Sequence, residues 1–336
     1  MSYRLSICIP TLNRGAYIGE TLDSIVSQWE PGVEVVIVDG GSTDNTEQVV
    51  ADYSARFPDI RFFKKDKATK GPSNEGFDRD CDQAVVLASG EYCWLMTDDD
   101  LLKPGALKII LAQTDRNYSL IVVNAEVMNS DFTQKLVARR PNIPHDRVFT
   151  AGEWELFAQT AVSHLTFVGA VIIRRYLWLG RNRQKYFGSG FIHVGVIFDE
   201  PVSGSLLIMA EPLVSIRFGN AQWSSRAFQI WMLNWPSLVW SFPSLANSTK
   251  EAICPREPWR SLKTLLFNRA MGTYSVTEYR NFVEKQPGGA LTKVVSKLIS
   301  RIPRTLLYIP VLFYIRLAVP DSNYVLFNLR ESWKNK

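Results

Sequence analysis

The amino-acid sequence predicts an α/β protein with a mostly parallel sheet in its first half and a helical, amphipathic C-terminal extension. Three observations carry that prediction. Short β-branched runs alternate with stretches of helical periodicity through residue 130. Polar clusters follow three of those runs directly. Residues 291–319 interleave basic and apolar side chains at helical spacing.

The elements follow in order. RLSICIP (4–10) reads as a short apolar strand, and YIGETLDSIVSQ (17–28) places Ile18, Leu22, Ile25 and Val26 on one helical stripe. VEVVIVDG (33–40) is a continuous β-branched run of the kind buried on both faces of a parallel sheet. After Gly40-Gly41, residues 42–57 read as a helix with Ser42 or Asp44 as N-cap. A strand at 60–65, a helix at 77–89 and a strand at 91–96 come next. PGALKIILAQT (104–114) has proline in its first turn, and SLIVVNAEVM (119–128) is a further strand. Repeated β-α-β units of this kind build a doubly wound sheet. Beyond them, 167–175 and 206–220 read as strands, and the Trp-rich 224–285 as helical.

Composition bounds the function. With 336 residues, 46% hydrophobic and 21% charged, the chain suits a globular protein with a substantial core. Met1–Pro10 reads as a strand and not as a signal peptide. The cysteines Cys8, Cys81, Cys93 and Cys254 are scattered, as expected of reduced thiols without a structural zinc site. The formal charge of +5 sits in the tail: from Leu291 onward there are eight basic and two acidic residues. The remainder is close to neutral, so a nucleic-acid-binding face is not expected.

The tail has two readings. Leu291, Val294, Val295, Leu298, Ile299 and Ile302 form one stripe, interleaved with Lys293, Lys297, Arg301 and Arg304. The most apolar piece, 305–315, is too short to span a bilayer and contains Pro310. An interfacial anchor over 291–319 is one reading. A C-terminal helix packed on the protein's own core is the other.

In doubly wound sheets, ligands sit beyond the carboxyl ends of the strands. Pro10 to Arg14, Asp39 to Asp44 and Asp98 to Asp100 all lie there. Adjacent carboxylates repel, and a divalent cation such as Mg²⁺ or Mn²⁺, held with substrate phosphates, offsets that cost. Capping of the following helix is the plainer alternative. No G-x-G-x-x-G follows the first strand and no G-x-x-x-x-G-K-[ST] occurs, which disfavours a dinucleotide dehydrogenase and excludes a P-loop NTPase.

The stretches SICIPTLNRGAYIGETLDSIVSQ, EVVIVDGGSTDNTEQVV and ASGEYCWLMTDDDLLKPGAL, in that order, resemble the GT-A domain of family 2 glycosyltransferases. The resemblance covers roughly residues 1–130. It is similar in wording to sugar transferases of bacterial surface-polysaccharide and O-antigen assembly, including abequosyltransferase-like ones. It implies a Rossmann-like GT-A fold, with 1–130 as the nucleotide-sugar-binding half, 131–225 as the acceptor side and 226–336 as a helical region. It further implies that Pro10, Thr11 and Asn13 line the nucleotide pocket with Arg14 close by, and that Asp39 accepts a hydrogen bond from a pyrimidine. Asp98 would face the ribose, and Asp99 would ligate Mn²⁺ or Mg²⁺ on the diphosphate. Asp100 would be a second ligand or orient metal-bound water.

Two stretches depart from the family pattern. Where relatives carry Asn-x-Gly and Arg-Asn, this chain has KATKGPSNEGFDRDCDQA. Arg79 or Lys70 is then a candidate for the diphosphate; the other reading is that all the charges of this stretch, Asp78 and Asp80 included, are solvated, and Lys70 leans to that one. Inverting relatives take the acceptor proton on an Asp of a Glu-Asp pair; the corresponding stretch here has Ser189-Gly190. Candidate bases are His193, Asp199 and then Glu200, with His164 and His145 ranked below, and a structural role stands beside each.

The expectation is a metal-dependent, inverting glycosyltransferase using a nucleotide sugar (UDP first, CDP or dTDP as alternatives). Its acceptor would be a polyprenyl-diphosphate-linked glycan, met on the inner face of the cell membrane through the C-terminus. A sugar-nucleotide nucleotidyltransferase and a non-catalytic GT-A assembly partner are the alternatives.

Overall fold

The structure, a computed structural model, describes residues 3–65, 76–319 and 322–334. The chain divides into two compact units. The first comprises Met1–Val127, Ala138–Arg217 and Phe242–Thr249; the second comprises Met128–Val137, Phe218–Ser241 and Lys250–Lys336.

In chain order the strands are β1 (Leu5–Thr11), β2 (Val33–Asp39), β3 (Ile60–Lys64), β4 (Tyr92–Leu95), β5 (Leu101–Leu102), β6 (Leu120–Asn129), β7 (Lys135–Arg140), β8 (Arg147–Phe149), β9 (Val171–Arg174) and β10 (Leu206–Phe218). The helices of the first unit are α1 (Ile18–Val26), α2 (Thr46–Ser54), α3 (Gly76–Leu87), α4 (Ala106–Thr114), α5 (Trp154–Ala161), α6 (Arg175–Gly180) and α7 (Ile192–Phe198). The sheet runs β3-β2-β1-β4-β9-β6-β10-β5, with β7 on β6 and β8 on β10. The first four strands pair in parallel. β1 and β2 are buried at all seven positions each, which is why their sequences show no polar alternation.

β9 enters antiparallel between β4 and β6. The fold is therefore the expected α/β class with a mostly parallel sheet, interrupted by a strand whose apolar sequence carries no sign of its direction. Leu5, Ile7, Ile9, Val35, Ile37, Trp94 and Ile121 centre the core. At the opposite end of the sheet from the polar clusters, the fully buried Glu34 accepts hydrogen bonds from Ser6 Oγ (2.7 Å) and Ser89 N (2.6 Å) and pairs with Arg61 (2.8 Å). These bonds satisfy a carboxylate that would otherwise be costly inside the sheet.

The remaining helices are short up to residue 289: α8 (Ala227–Gln229), α9 (Trp235–Trp240), α10 (Asn247–Ile253), α11 (Leu262–Met271) and α12 (Val276–Glu278). π-helical turns occupy Ile230–Asn234 and Tyr279–Val283. α13 (Ala290–Arg301), α14 (Arg304–Ala318) and α15 (Ser322–Lys334) follow. Two apolar clusters hold the second unit together. One is built on Phe228, Trp259, Tyr274 and Ile299, the other on Met271, Val311, Ile315 and Leu329. Arg304 is buried there, donating to Ala270 O (3.1 Å) and to Ser332 O and Oγ (both 3.2 Å). The four cysteines are free and buried.

Candidate active site

Three strand ends of the first unit build one rim. β1 ends at Thr11, and the chain leaves it through Asn13 with φ of 54°, a left-handed conformation that asparagine tolerates better than most residues. Asn13 N donates to Ser42 Oγ (2.8 Å), while its side-chain Oδ1 accepts from Thr43 N (2.8 Å). Arg14 N donates to Thr46 Oγ1 (2.8 Å). The loop after β1 is thus stitched to the loop after β2. Gly15 is required at this seam, because a Cβ there would lie 2.0 Å from Asn45 Oδ1 and 2.9 Å from Thr46 N.

Asp39 ends β2 and is fully buried. Its Oδ1 accepts three hydrogen bonds, from Gly41 N (3.0 Å), Ser42 N (2.8 Å) and Ser42 Oγ (2.7 Å). Among the described residues its Oδ2 has no hydrogen-bond partner. A buried carboxylate oxygen without a donor is costly. The helix expected over 42–57 starts only at Thr46: Ser42 is engaged by Asp39 and Asn13, whereas Asp44 Oδ1 accepts from Thr46 N (3.0 Å).

The acidic triplet follows β4, and all three members are buried. Arg14 spans the first two, with Nε 3.3 Å from Asp98 Oδ1 and Nη2 3.2 Å from Asp99 Oδ2. Burial, then the neighbouring Asp99 carboxylate, raises the Asp98 pKa to about 7, with Arg14 opposing. Burial and Asp99 also raise Asp100 well above the ordinary carboxylate range. Asp100, expected as a second metal ligand and catalytic group, is instead engaged within the protein. One oxygen accepts from the Thr97 hydroxyl and the other from Arg217 N (2.7 Å). It anchors the acidic loop to β10.

Arg217 gave no signal in the sequence beyond ending an apolar strand. Its Nε donates to Asp99 O (2.9 Å), its Nη2 pairs with Glu20 (2.5 Å), and its guanidinium lies 5.1 Å from the Tyr17 ring centroid. Arg14 lies 5.5 Å from the same ring. Tyr17, Glu20 and Arg217 therefore belong to the rim alongside Arg14: Arg217 holds the Asp99 carbonyl and the Asp100 side chain, and Glu20 and the Tyr17 ring flank its guanidinium.

The departure at 78–80 is not solvated. Asp78 Oδ2 accepts from Gly190 N (2.9 Å) and its Oδ1 from Ile192 N (3.1 Å), so it holds the start of α7. Asp80 pairs with Lys65 (2.5 Å) and sits against Gly40, where an added Cβ would meet Asp80 Oδ2 at 2.7 Å. Arg79, expected at the nucleotide, lies over the Phe187 ring at 4.6 Å. Lys70 lies outside the described residues.

The candidate bases are occupied elsewhere. His193 is buried, its Nε2–H is on Leu165 O (2.8 Å), and burial lowers its pKa to about 4. His164 is likewise buried on Val123 O (2.7 Å), with its pKa lowered to about 3. Neither imidazole is exposed to an acceptor hydroxyl. Asp199 accepts from Tyr186 OH (2.5 Å), and Glu200 pairs with Arg181 (3.1 Å). Both lie past the C-terminal end of seven-residue α7, about 10 Å from the start that Asp78 holds.

The donor set at Asp98 and Asp99 is hard oxygen, which fits Mg²⁺ or Mn²⁺ and not a thiophilic metal. Arg14 shows that a cation is accommodated between these two carboxylates. Among the described residues no three ligating side chains converge on one point, so a metal here would draw its other ligands from phosphate and water.

This sheet order, with a buried carboxylate at the end of β2 and an acidic triplet after β4, defines a GT-A glycosyltransferase fold. The glycosyl transferase family 2 profile matches residues 6–181, and the chain belongs to that family. It is 26% identical over 230 residues to abequosyltransferase RfbV of Salmonella typhimurium, covering 64% of this chain and 67% of that one. It is 30% identical over 166 residues to chondroitin synthase of Escherichia coli, covering 45% of this chain but only 23% of that relative. Among solved structures, S. aureus TarS 1–349 in complex with UDP superposes with a TM-score of 0.55 at 17% identity, covering 99% of this chain and 91% of that one.

Proposed function

We propose that this glycosyltransferase moves a sugar from a nucleoside-diphosphate sugar, UDP-linked in the first instance, to a glycan acceptor in surface-polysaccharide assembly. The single observation that carries the donor half is the unpartnered, buried Asp39 Oδ2 on the same rim as Asp98 and Asp99. An imide N–H of uracil supplies the missing donor, and two strands away the carboxylates meet the diphosphate end of the same ligand. Support for UDP comes from TarS, solved with UDP and with UDP-GlcNAc.

In this reading Asp39 reads the base, Thr11 and Pro10 line its pocket, Asp98 meets the ribose, and Asp99 holds Mn²⁺ or Mg²⁺. When bound, the metal supplies positive charge to the leaving diphosphate. Arg14, which bridges Asp98 and Asp99, would add positive charge beside the phosphates. Asn13 and Arg217 position the loops. The proposed transfer inverts the anomeric carbon, and the acceptor proton goes to a base other than His193.

The acceptor is proposed to be lipid-linked and met at the inner face of the cell membrane. A relative from Campylobacter jejuni, 29% identical over 124 residues, is a beta-1,3-glucosyltransferase acting on a PP-undecaprenol glycan. Transfer assays with a panel of sugar nucleotides test the reading. Nucleotide release that needs Mn²⁺ and Asp99, with inverted product by NMR, supports it. Release unaffected by Asp99→Ala refutes it.

A further inference from the structure

Helices α13 and α14 each carry two apolar faces. Inward, Val295, Ile299 and Ile302 join one core of the second unit, while Val311 and Ile315 join the other. Outward, α13 presents Leu291, Val294 and Leu298, at i, i+3 and i+7. α14 presents Leu306, Ile309, Phe313 and Leu317 on the same spacing. All seven are between 54% and 84% exposed. Single exposed apolar residues are ordinary, but two successive stripes of this size call for a partner.

We propose that these outward stripes dock on an anionic lipid bilayer and lie in its interface. The charge pattern selects that partner. No acidic residue occurs between Glu284 and Asp321. Lys293, Lys297 and Arg301 run at i, i+4 and i+8 along one edge of the α13 stripe, and Arg316 adjoins the α14 stripe. A second copy of the chain would bring two such basic edges together without a carboxylate to offset them, whereas anionic headgroups complement them.

Length excludes a crossing by either helix. Their 12 and 15 residues give about 18 and 22 Å, against about 30 Å of hydrocarbon. The pair is bent by 101° at the break before Arg304. Among the described residues no single helix is long and apolar enough to cross. The inference rests on the proposed function only for why the enzyme would visit a membrane; the surface chemistry stands by itself.

Vesicle flotation of the full chain tests it. Binding is expected to phosphatidylcholine vesicles containing phosphatidylglycerol, weakening as salt rises. Leu298→Glu/Phe313→Glu is expected to lower that binding by about tenfold or more, with unchanged circular-dichroism melting because both side chains are exposed. Lys297→Ala/Arg301→Ala, milder still for the fold, is expected to flatten the salt dependence. Unchanged binding in the Glu variant, or equal binding to pure phosphatidylcholine, overturns the proposal. So does a dimer that the Glu variant dissociates while the wild type ignores vesicles. Nucleotide release without vesicles is read in parallel. Flotation without release leaves this inference standing and the transferase reading failed; release without flotation is the reverse.

Discussion

Replacing Asp39 by Asn removes one negative charge and exchanges one oxygen for an N–H₂, with almost no change in shape. The three donors on Oδ1 can all be kept, because the amide oxygen takes the place of that atom against Gly41 N, Ser42 N and Ser42 Oγ. What changes is Oδ2, the unpartnered acceptor, which becomes a donor facing the base. Uracil N3–H then meets an N–H, losing a charge-assisted hydrogen bond and leaving a buried donor unsatisfied. Those effects together cost about 2–4 kcal/mol, or about 30- to 1,000-fold in UDP affinity. Cytosine presents an acceptor at the same ring position, to which the new N–H₂ donates, so the variant should bind CDP at least as tightly as the wild type does. Calorimetric titration of wild type and Asp39→Asn with UDP and CDP reads both effects. An Asp39→Asn affinity for UDP within twofold of wild type, or equal losses for UDP and CDP, would refute the assignment of Asp39 to the base.

Other predictions concern the rest of the rim and the core. Asp99→Ala should reduce transfer by about 10²- to 10³-fold, whereas Asp100→Asn, which keeps an acceptor for Arg217 N, should reduce it far less; initial rates of nucleotide release compare the two. Arg217→Met should cost about 2 kcal/mol in urea unfolding, since the Asp99 carbonyl loses a charged donor, and should weaken UDP·Mn²⁺ binding. The same loss of stability without any change in binding would make Arg217 a purely structural residue. His164 and His193, with pKa values lowered to about 3 and 4, stay neutral when folded but protonate near 6.5 when unfolded. The unfolded chain therefore binds more protons as pH falls from 6.5, and each histidine withdraws about 2 kcal/mol of stability between pH 7 and pH 5. His164→Gln/His193→Gln, which keeps donors for Val123 O and Leu165 O, should flatten the fall in melting temperature over that range; an unchanged slope contradicts the burial argument.

The half of the site that the sequence displays is the half built from strand ends. β1, β2 and β4 are buried on both faces, so their apolar runs stop where the rim begins: Asp39 closes β2, and Asp98 lies three residues beyond β4. The long-range partners have no such marker. Arg217 is 117 residues from Asp100, and Asp78 is 112 from Gly190, so only the folded sheet brings them together. The direction of β9 is equally hidden, because an apolar four-residue strand reads the same either way. His193 illustrates the converse case. Its ordinary pKa suggests a base, but on a wholly buried helix that same ring is a hydrogen-bonded core side chain. The charges at 78–80 look solvated in sequence because burial by a loop more than a hundred residues away leaves no local pattern.

The coupling between cation and nucleotide at the rim tests the central claim most directly. UDP is titrated into wild type and Asp99→Ala, each with and without Mn²⁺. The account predicts that Mn²⁺ tightens UDP binding to the wild type by about tenfold or more, through roughly 1.4 kcal/mol or more of coupling, and leaves Asp99→Ala unmoved. Equal Mn²⁺ dependence in both proteins, or no UDP binding by the wild type, would contradict it.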